Sequence, residues 1–334
     1  MMQMTKRNSE NRVSRIFRIG DFTFQMSYPS EITPPDNFML FECRKRSCVD
    51  GSCREADEMG SGSEQTREET DGTISGDVIE YSYYLEVAEE LPAPEGKIVA
   101  QRLDLTAFSD GDRESRLLGV KGVEGYYACY QELSGDHAKI TLNRDRIEGL
   151  HIDPVFTSLL ALERRLVARD NMVLHCAYVE YEGEAILFSA PSETGKTTQA
   201  GLWEKYRGSR TVNGDRALLA KRNGRWAALG WPVCGTSEVC NNETFPIRAI
   251  VMLSQAEENL AVRMTPGQAF PLLYSQITVN KWNTEAHIHT MDLIEALIAE
   301  VPVYHLGCTI SEEAVDCLDA ALQNKGTILQ NMDA

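Results

Sequence analysis

Over roughly the first 150 residues, apolar and polar positions alternate in short runs. Beyond them the chain switches to continuous apolar runs separated by segments with helical spacing. Arg15-Ile-Phe-Arg-Ile19, the turn Gly20-Asp21, and Phe22-Thr-Phe-Gln-Met26 predict a hairpin within residues 12–29. Strand-like runs recur at Ile79 to Val87, Ile98 to Leu103, Tyr126 to Leu133 and Ala138 to Leu142, with Gly and Asp between them. They predict a small, mainly β, antiparallel N-terminal domain over residues 1–150. Inside it, residues 45–76 collapse into Glu, Asp, Ser, Gly and Thr, the composition of a disordered acidic loop.

Residues 151–334 read as a second domain of α/β class. Asp153-Pro154 supplies a helix start, and Phe156, Leu159, Leu160, Leu166 and Val167 form an apolar stripe behind it. Met172 to Val179 and Glu184 to Ser189 predict strands joined by a turn at Glu182-Gly183. A helix opens at Lys196 with Ala200 and Trp203 on one face, and further strands fit Thr211 to Asn213, Ala217 to Lys221 and the uncharged Ala249 to Leu253. The C-terminal part predicts helices at Ala269 to Tyr274 and Thr284 to Glu300, a strand at Val301 to Leu306, and a last helix capped by Ser311.

The junction between strand and helix at residues 184–198 carries the clearest chemistry. Ala190-Pro-Ser-Glu-Thr-Gly195-Lys196-Thr197 fits G-x-x-x-x-G-K-S/T with Ala190 in place of the first glycine. A tight turn feeding a helix N-terminus aims backbone N–H groups at phosphate oxygens. The nucleotide-binding candidates are Ala190, Ser192, Glu193, Thr194, Gly195, Lys196, Thr197 and Thr198, with Lys196 facing the surface to meet phosphate and the Thr197 hydroxyl on Mg²⁺. Phosphoryl transfer also needs a carboxylate near the metal and acceptor. Asp215, just past a strand end where an α/β sheet opens its ligand crevice, is the candidate metal ligand and catalytic group. A histidine on an apolar strand, such as His175, is either a hydrogen-bonded core residue or a catalyst. Trp231 to Asn242 reads as an acceptor-side loop, and Arg248 as either a phosphate contact or the partner of a surface carboxylate.

A net charge of −17 disfavours a nucleic-acid partner. No run approaches the ~18 apolar residues that span a bilayer. The cysteines show no pairing framework, so a reduced, cytoplasmic setting without membrane attachment is expected. Cys43, Cys48 and Cys53 lie five apart, too widely spaced for zinc knuckles and short of a fourth ligand.

His175 to Gly183, Ala190 to Thr197 and Asn213-Gly-Asp-Arg216 together resemble the catalytic core of the HPr kinase/phosphorylase family over roughly residues 150–320, and more distantly the nucleotide-binding core of the phosphoenolpyruvate carboxykinases. The resemblance implies a P-loop kinase core that uses ATP and Mg²⁺ to phosphorylate a hydroxyl on a protein, peptide or small molecule. It also implies a homo-oligomer. Lys196 and Thr197 would bind phosphate and Mg²⁺, Asp215 would be the second aspartate of the family's pair, and His175 would sit beside the catalytic carboxylate. Three departures stand out: Glu193 replaces a glycine, Gly214 replaces the first aspartate, and Gly230 to Ser237 stands where a glycine-rich segment is expected. Gly214 and Glu193 open the alternative of a nucleotide-binding sensor or scaffold that has lost the chemistry.

Overall fold

Alternating side chains of the first strands all turn to one side, and that side is buried: Phe17, Ile19, Phe22, Phe24 and Met26 are fully enclosed. The computed structural model describes residues 11–43 and 78–323, so the predicted acidic loop at 45–76 and Cys48 and Cys53 lie outside the described residues. The first sheet contains β1 (Arg12–Ile19), β2 (Phe22–Pro29), β3 (Tyr81–Ala88), β4 (Lys97–Gln101), β5 (Leu105–Asp110), β6 (Arg113–Gly119), β7 (Tyr126–Ser134) and β8 (His137–Asn143), with the short helix α1 (Asp36–Met39) after β2. The strand order is β1-β2-β3-β8-β7-β6-β5-β4. The expected antiparallel arrangement holds for the hairpins but not for β3, which runs parallel to both β2 and β8. Neither neighbour is joined to β3 by a tight turn, so hairpin geometry does not set its direction.

The stripe at 153–167 predicts one helix, and the chain makes two, α2 (Asp153–Ser158) and α3 (Leu162–Val167), broken at Ala161 with φ of 47°. Phe156, Leu159, Leu160 and Leu166 are buried as the stripe requires. Asp153 is the first helical residue and caps nothing. Its carboxylate instead accepts from the Cys234 N–H at 2.9 Å and from Asn37 at 3.2 Å.

The second sheet is built from β9 (Met172–Tyr181), β10 (Glu184–Ser189), β11 (Arg210–Asn213), β12 (Arg216–Arg222), β13 (Arg225–Leu229), β14 (Thr244–Gln255), β15 (Leu260–Arg263) and β16 (Val303–Cys308). Its helices are α4 (Lys196–Arg207), α5 (Pro266–Gln276), α6 (Thr284–Glu300) and α7 (Glu312–Gln323). β10 pairs with β9 on one edge and β14 on the other, while β9, β12, β13 and β14 pair in succession, so five strands close a ring. β16 and β15 extend it beyond β14. Trp203 of α4 and Val315 and Leu318 of α7 pack with Phe188 and Val251 on one face. Leu273 of α5 and Ile294 and Leu297 of α6 pack with Leu187 and Ile250 on the other. Among the described residues no helix is long and apolar enough to cross a membrane.

One hydrophobic cluster runs from the first sheet into the second, joining Phe17, Phe24 and Tyr130 to Leu218, Leu229 and Trp231. Beside it, Arg116 meets Glu114 at 2.5 Å and Glu163 at 2.6 Å, while Glu132 meets Arg164 at 2.7 Å and Arg165 at 2.5 Å. The Trp282 indole donates to Glu114 at 2.8 Å, tying the network to the second half. Since Glu132 is buried between two arginines, Glu132→Ala should cost about 3–5 kcal/mol, read as a lowered urea midpoint.

Candidate functional site

Ser189, the last residue of β10, lies directly opposite Cys176 of β9, and its hydroxyl donates to the His175 carbonyl at 2.8 Å. The loop therefore leaves β10 alongside His175. Ala190 is fully buried, whereas Ser192 and Glu193 are exposed. Glu193 holds φ of 65°, the left-handed conformation that favours glycine, and with this backbone it stands in solvent. Gly195, at φ of 114°, turns the chain into α4. No side chain caps this helix, and the amides of Lys196, Thr197 and Thr198 have no protein acceptor among the described residues. The Thr197 and Thr198 side chains are exposed and Thr194 is half-buried.

Lys196 departs from expectation. It is buried rather than surface-facing, 8% exposed, with its ammonium donating to the Ala190 carbonyl at 3.1 Å and the Pro191 carbonyl at 3.4 Å. The aliphatic stem is enclosed while the charged end returns to the loop's own backbone. Burial lowers its pKa below the ordinary lysine value, and the nearby Asp215 carboxylate works in the opposite direction.

His175 owes its position to the two faces of β9. Side chains two apart share a face, and Val173 joins the core under the first sheet while Ala177 and Val179 join the core under α4. His175 lies between them, where one core ends and the other begins. Its Nε2 is 3.3 Å from Asp215 Oδ1, and its Nδ1 is 3.3 Å from Gln276 Oε1 at the end of α5. Arg216 Nε donates to Asp215 Oδ2 at 3.0 Å. Burial alone would raise the Asp215 carboxyl, but the His175 hydrogen bond and the Arg216 charge together hold it below the usual range.

Asp215 is set in place by Asn213, whose buried side chain accepts from the Asp215 and Arg216 amides at 2.9 Å each and donates to the Trp231 carbonyl at 2.9 Å. A Cβ added at Gly214 would stand 1.9 Å from Ser237 Oγ, so Ser237 fills the space that a side chain at 214 would need. That hydroxyl donates to the Cys234 carbonyl at 2.7 Å and accepts from the Val239 amide at 3.2 Å. Gly235, at φ of 59°, packs so closely that its Cβ would meet Asp215 Cγ at 3.2 Å. The loop from Trp231 to Asn242 therefore folds over Asp215.

The structure brings His175, Asp215 and Lys196 to one end of the ring, next to the amides of the loop. It does not bring Arg248 there: Arg248 pairs with Glu182 at 2.8 Å by the β9–β10 turn, at the opposite end of β10. Gln276, Ser237 and Gly235 were missed by sequence reasoning. The capping box of Thr265 and Gln268 signals where α5 starts, but no local pattern shows that its far end meets His175.

Two expectations follow. Gly214→Ala should destabilise by about 1–3 kcal/mol through overpacking against Ser237. Gly214→Ala with Ser237→Gly should be less destabilised in urea than the two single losses added together. The Asp215 carboxyl is lowered on folding, so its charge stabilises the fold above the unfolded-state pKa of about 3.9 and ceases to do so as pH falls through the folded value. Asp215→Asn should accordingly lower the urea midpoint at pH 7, with the gap to wild type closing in acid.

No curated protein sequence matches this chain. Among solved structures, the HPr(Ser) kinase/phosphatase from Coxiella burnetii is similar over 45% of this chain and 92% of its own, at 11% sequence identity and a TM-score of 0.27. Residues 141–323, more than half of the chain and including every site residue described above, match the sequence family described as SynChlorMet cassette protein ScmC. The chain belongs to the ScmC family.

Proposed function

We propose that this protein is an ATP- and Mg²⁺-dependent kinase that phosphorylates a hydroxyl on a protein, peptide or small-molecule acceptor. The observation that carries the reading is the Asp215 carboxylate, 3.3 Å from His175 and near Lys196, beside a helix whose first amides have no protein acceptor among the described residues. The loop from Ala190 to Thr198 cradles the nucleotide phosphates, and Lys196 exchanges two neutral carbonyls for phosphate oxygen. The Thr197 hydroxyl, with no protein partner among the described residues, and the Asp215 carboxylate suit Mg²⁺, which keeps most of its waters and takes one or two protein oxygens. Among the described residues no three His, Cys, Asp or Glu side chains converge as a metal cage, and magnesium does not need one. When bound, the ion neutralises charge on the phosphate oxygens.

Asp215 takes the acceptor proton as the acceptor oxygen bonds to the γ-phosphorus and the bond to the β–γ bridging oxygen breaks, its electron pair leaving on ADP. A carboxylate of depressed pKa suffices because phosphoryl transfer runs through a loose transition state that asks little of the base. His175 and Arg216 hold that carboxylate, one on each oxygen. The acidic charge and the cysteines without a pairing framework support a cytoplasmic kinase that engages neither nucleic acid nor membrane, and the resemblance to the HPr kinase/phosphorylase family supports a homo-oligomer.

A second reading, a nucleotide-binding sensor or scaffold, is favoured by Gly214. The place that the first aspartate takes in the HPr kinase/phosphorylase pattern is closed by Ser237. The two readings separate on incubation with γ-labelled ATP, Mg²⁺ and cell extract. A kinase labels an acceptor, a sensor only gains melting temperature with ATP, and a protein that does neither overturns both. Lys196→Ala should abolish the labelling and the ATP-dependent rise in melting temperature. Because the stem is buried, it should also cost about 1 kcal/mol of stability in urea.

A further inference from the structure

His175 can meet Asp215 in only one of the two ways its ring can sit. A half-turn of the ring exchanges Nδ1 with Cδ2 and Nε2 with Cε1, and both settings fill nearly the same space. In the structure Nε2 faces Asp215 Oδ1 at 3.3 Å and Nδ1 faces Gln276 Oε1 at 3.3 Å. Both contacts are long for a hydrogen bond, so the setting is selected by having one at each nitrogen.

The direction of the Gln276 amide is itself fixed by its neighbours. The Ser275 hydroxyl donates to the Leu272 carbonyl at 2.7 Å, which leaves the Ser275 oxygen to accept from Gln276 Nε2 at 2.9 Å. The amide oxygen is thereby turned to His175. Because that oxygen can only accept, Nδ1 is a nitrogen that carries hydrogen. The backbone around Gln276 is pinned as well. Leu273 and Ile277 are buried in the core under α5 and α6, and the Ile277 amide donates to the Leu273 carbonyl at 2.9 Å. Ile277 bridges Leu174, the neighbour of His175, and the Thr278 amide donates to the Val173 carbonyl at 2.9 Å.

We propose that Gln276 is a positioning residue for phosphoryl transfer: it holds His175 in the setting that presents Nε2 to Asp215. Through the ring it steadies the carboxylate oxygen that Arg216 does not hold. Without it, Cε1 faces Oδ1 for part of the time. The carboxylate, held by Arg216 on Oδ2 alone, then turns away from the acceptor hydroxyl. The proposal deepens the kinase reading and rests on it.

Two variants of the full chain test it. Gln276→Leu removes the acceptor oxygen, whereas Gln276→Glu keeps one facing Nδ1 and leaves the Ser275 hydroxyl free to turn to the other. With γ-labelled ATP, Mg²⁺ and cell extract, Gln276→Leu should slow labelling at saturating ATP by about tenfold to a hundredfold, the cost of a misplaced reacting group. The half-saturating ATP concentration and the ATP-dependent melting shift should stay as in wild type, and Gln276→Glu should recover most of the rate. Labelling by Gln276→Leu at the wild-type rate, a loss that appears in the half-saturating ATP concentration instead, or Gln276→Glu as slow as Gln276→Leu overturns the proposal and leaves the kinase reading standing.

A second arm needs no activity. In nitrogen NMR spectra of the chain labelled at its histidine rings, the His175 resonances are identified by their loss in His175→Asn. They should move in Gln276→Leu and return toward wild type in Gln276→Glu, while the other histidines stay unchanged. His175 resonances that do not move in Gln276→Leu overturn the proposal. A wild type that labels nothing removes the kinase reading, and the spectra then decide alone whether Gln276 sets the ring.

Discussion

Strand β9 has to satisfy three partners and three cores at once, and the positions of the other elements follow from that constraint. Its first residues pair with β12, its later ones with β10 and β11, and its odd-numbered face passes from the core of the first sheet to the core under α4. An apolar side chain suits either core, but the changeover is neither fully dry nor fully open. A histidine there keeps its ring against protein while its nitrogens reach Asp215 and Gln276.

The first sheet is joined to this strand by charge as well as by apolar packing. Glu114, Glu132 and Glu163 interleave with Arg116, Arg164 and Arg165 at a place where an unpaired charge would be costly. The network fixes α3, which leads directly into β9, against β6 and β7. Burial of so many charges is tolerable because each carboxylate meets at least one guanidinium.

The same network explains what was hard to read in the sequence. β6 turns Glu114, Arg116 and Leu118 inward, so its buried face carries charge and the alternation that marks a strand disappears. Gly111-Asp112 and Asn223-Gly224 are hairpin turns in plain view, yet β6 and β13 went unread because the flanking runs, Arg113 to Arg116 and Lys221 to Arg225, are mostly charged. β15, a four-residue edge strand with Leu260 and Val262 exposed, offers only the short run Leu260-Ala-Val262 with no alternation. By contrast β9, β10, β14, α6 and α7 were legible because their apolar faces are clean. At the site, the loop, His175 and Asp215 stood out in the sequence, since each residue type has few uses in its setting, and the structure places them together. Gln276 and Ser237 were not, because one meets its partner across 101 residues and the other fills the space beside Gly214 from a loop distant in sequence.

Closure of the five strands into a ring bears on how such a site can move. His175, Ser189 and the residues flanking Asp215 each belong to a strand hydrogen-bonded on both sides or to a turn locked by Asn213. An open sheet can shear or fan to adjust the spacing of groups at its edge, whereas a ring can do so only by breaking pairs. His175, Ser189 and Asp215 are therefore held as one stiff frame. Any breathing that admits or releases a ligand falls to the loop at 190–195 and to the cover from Trp231 to Asn242.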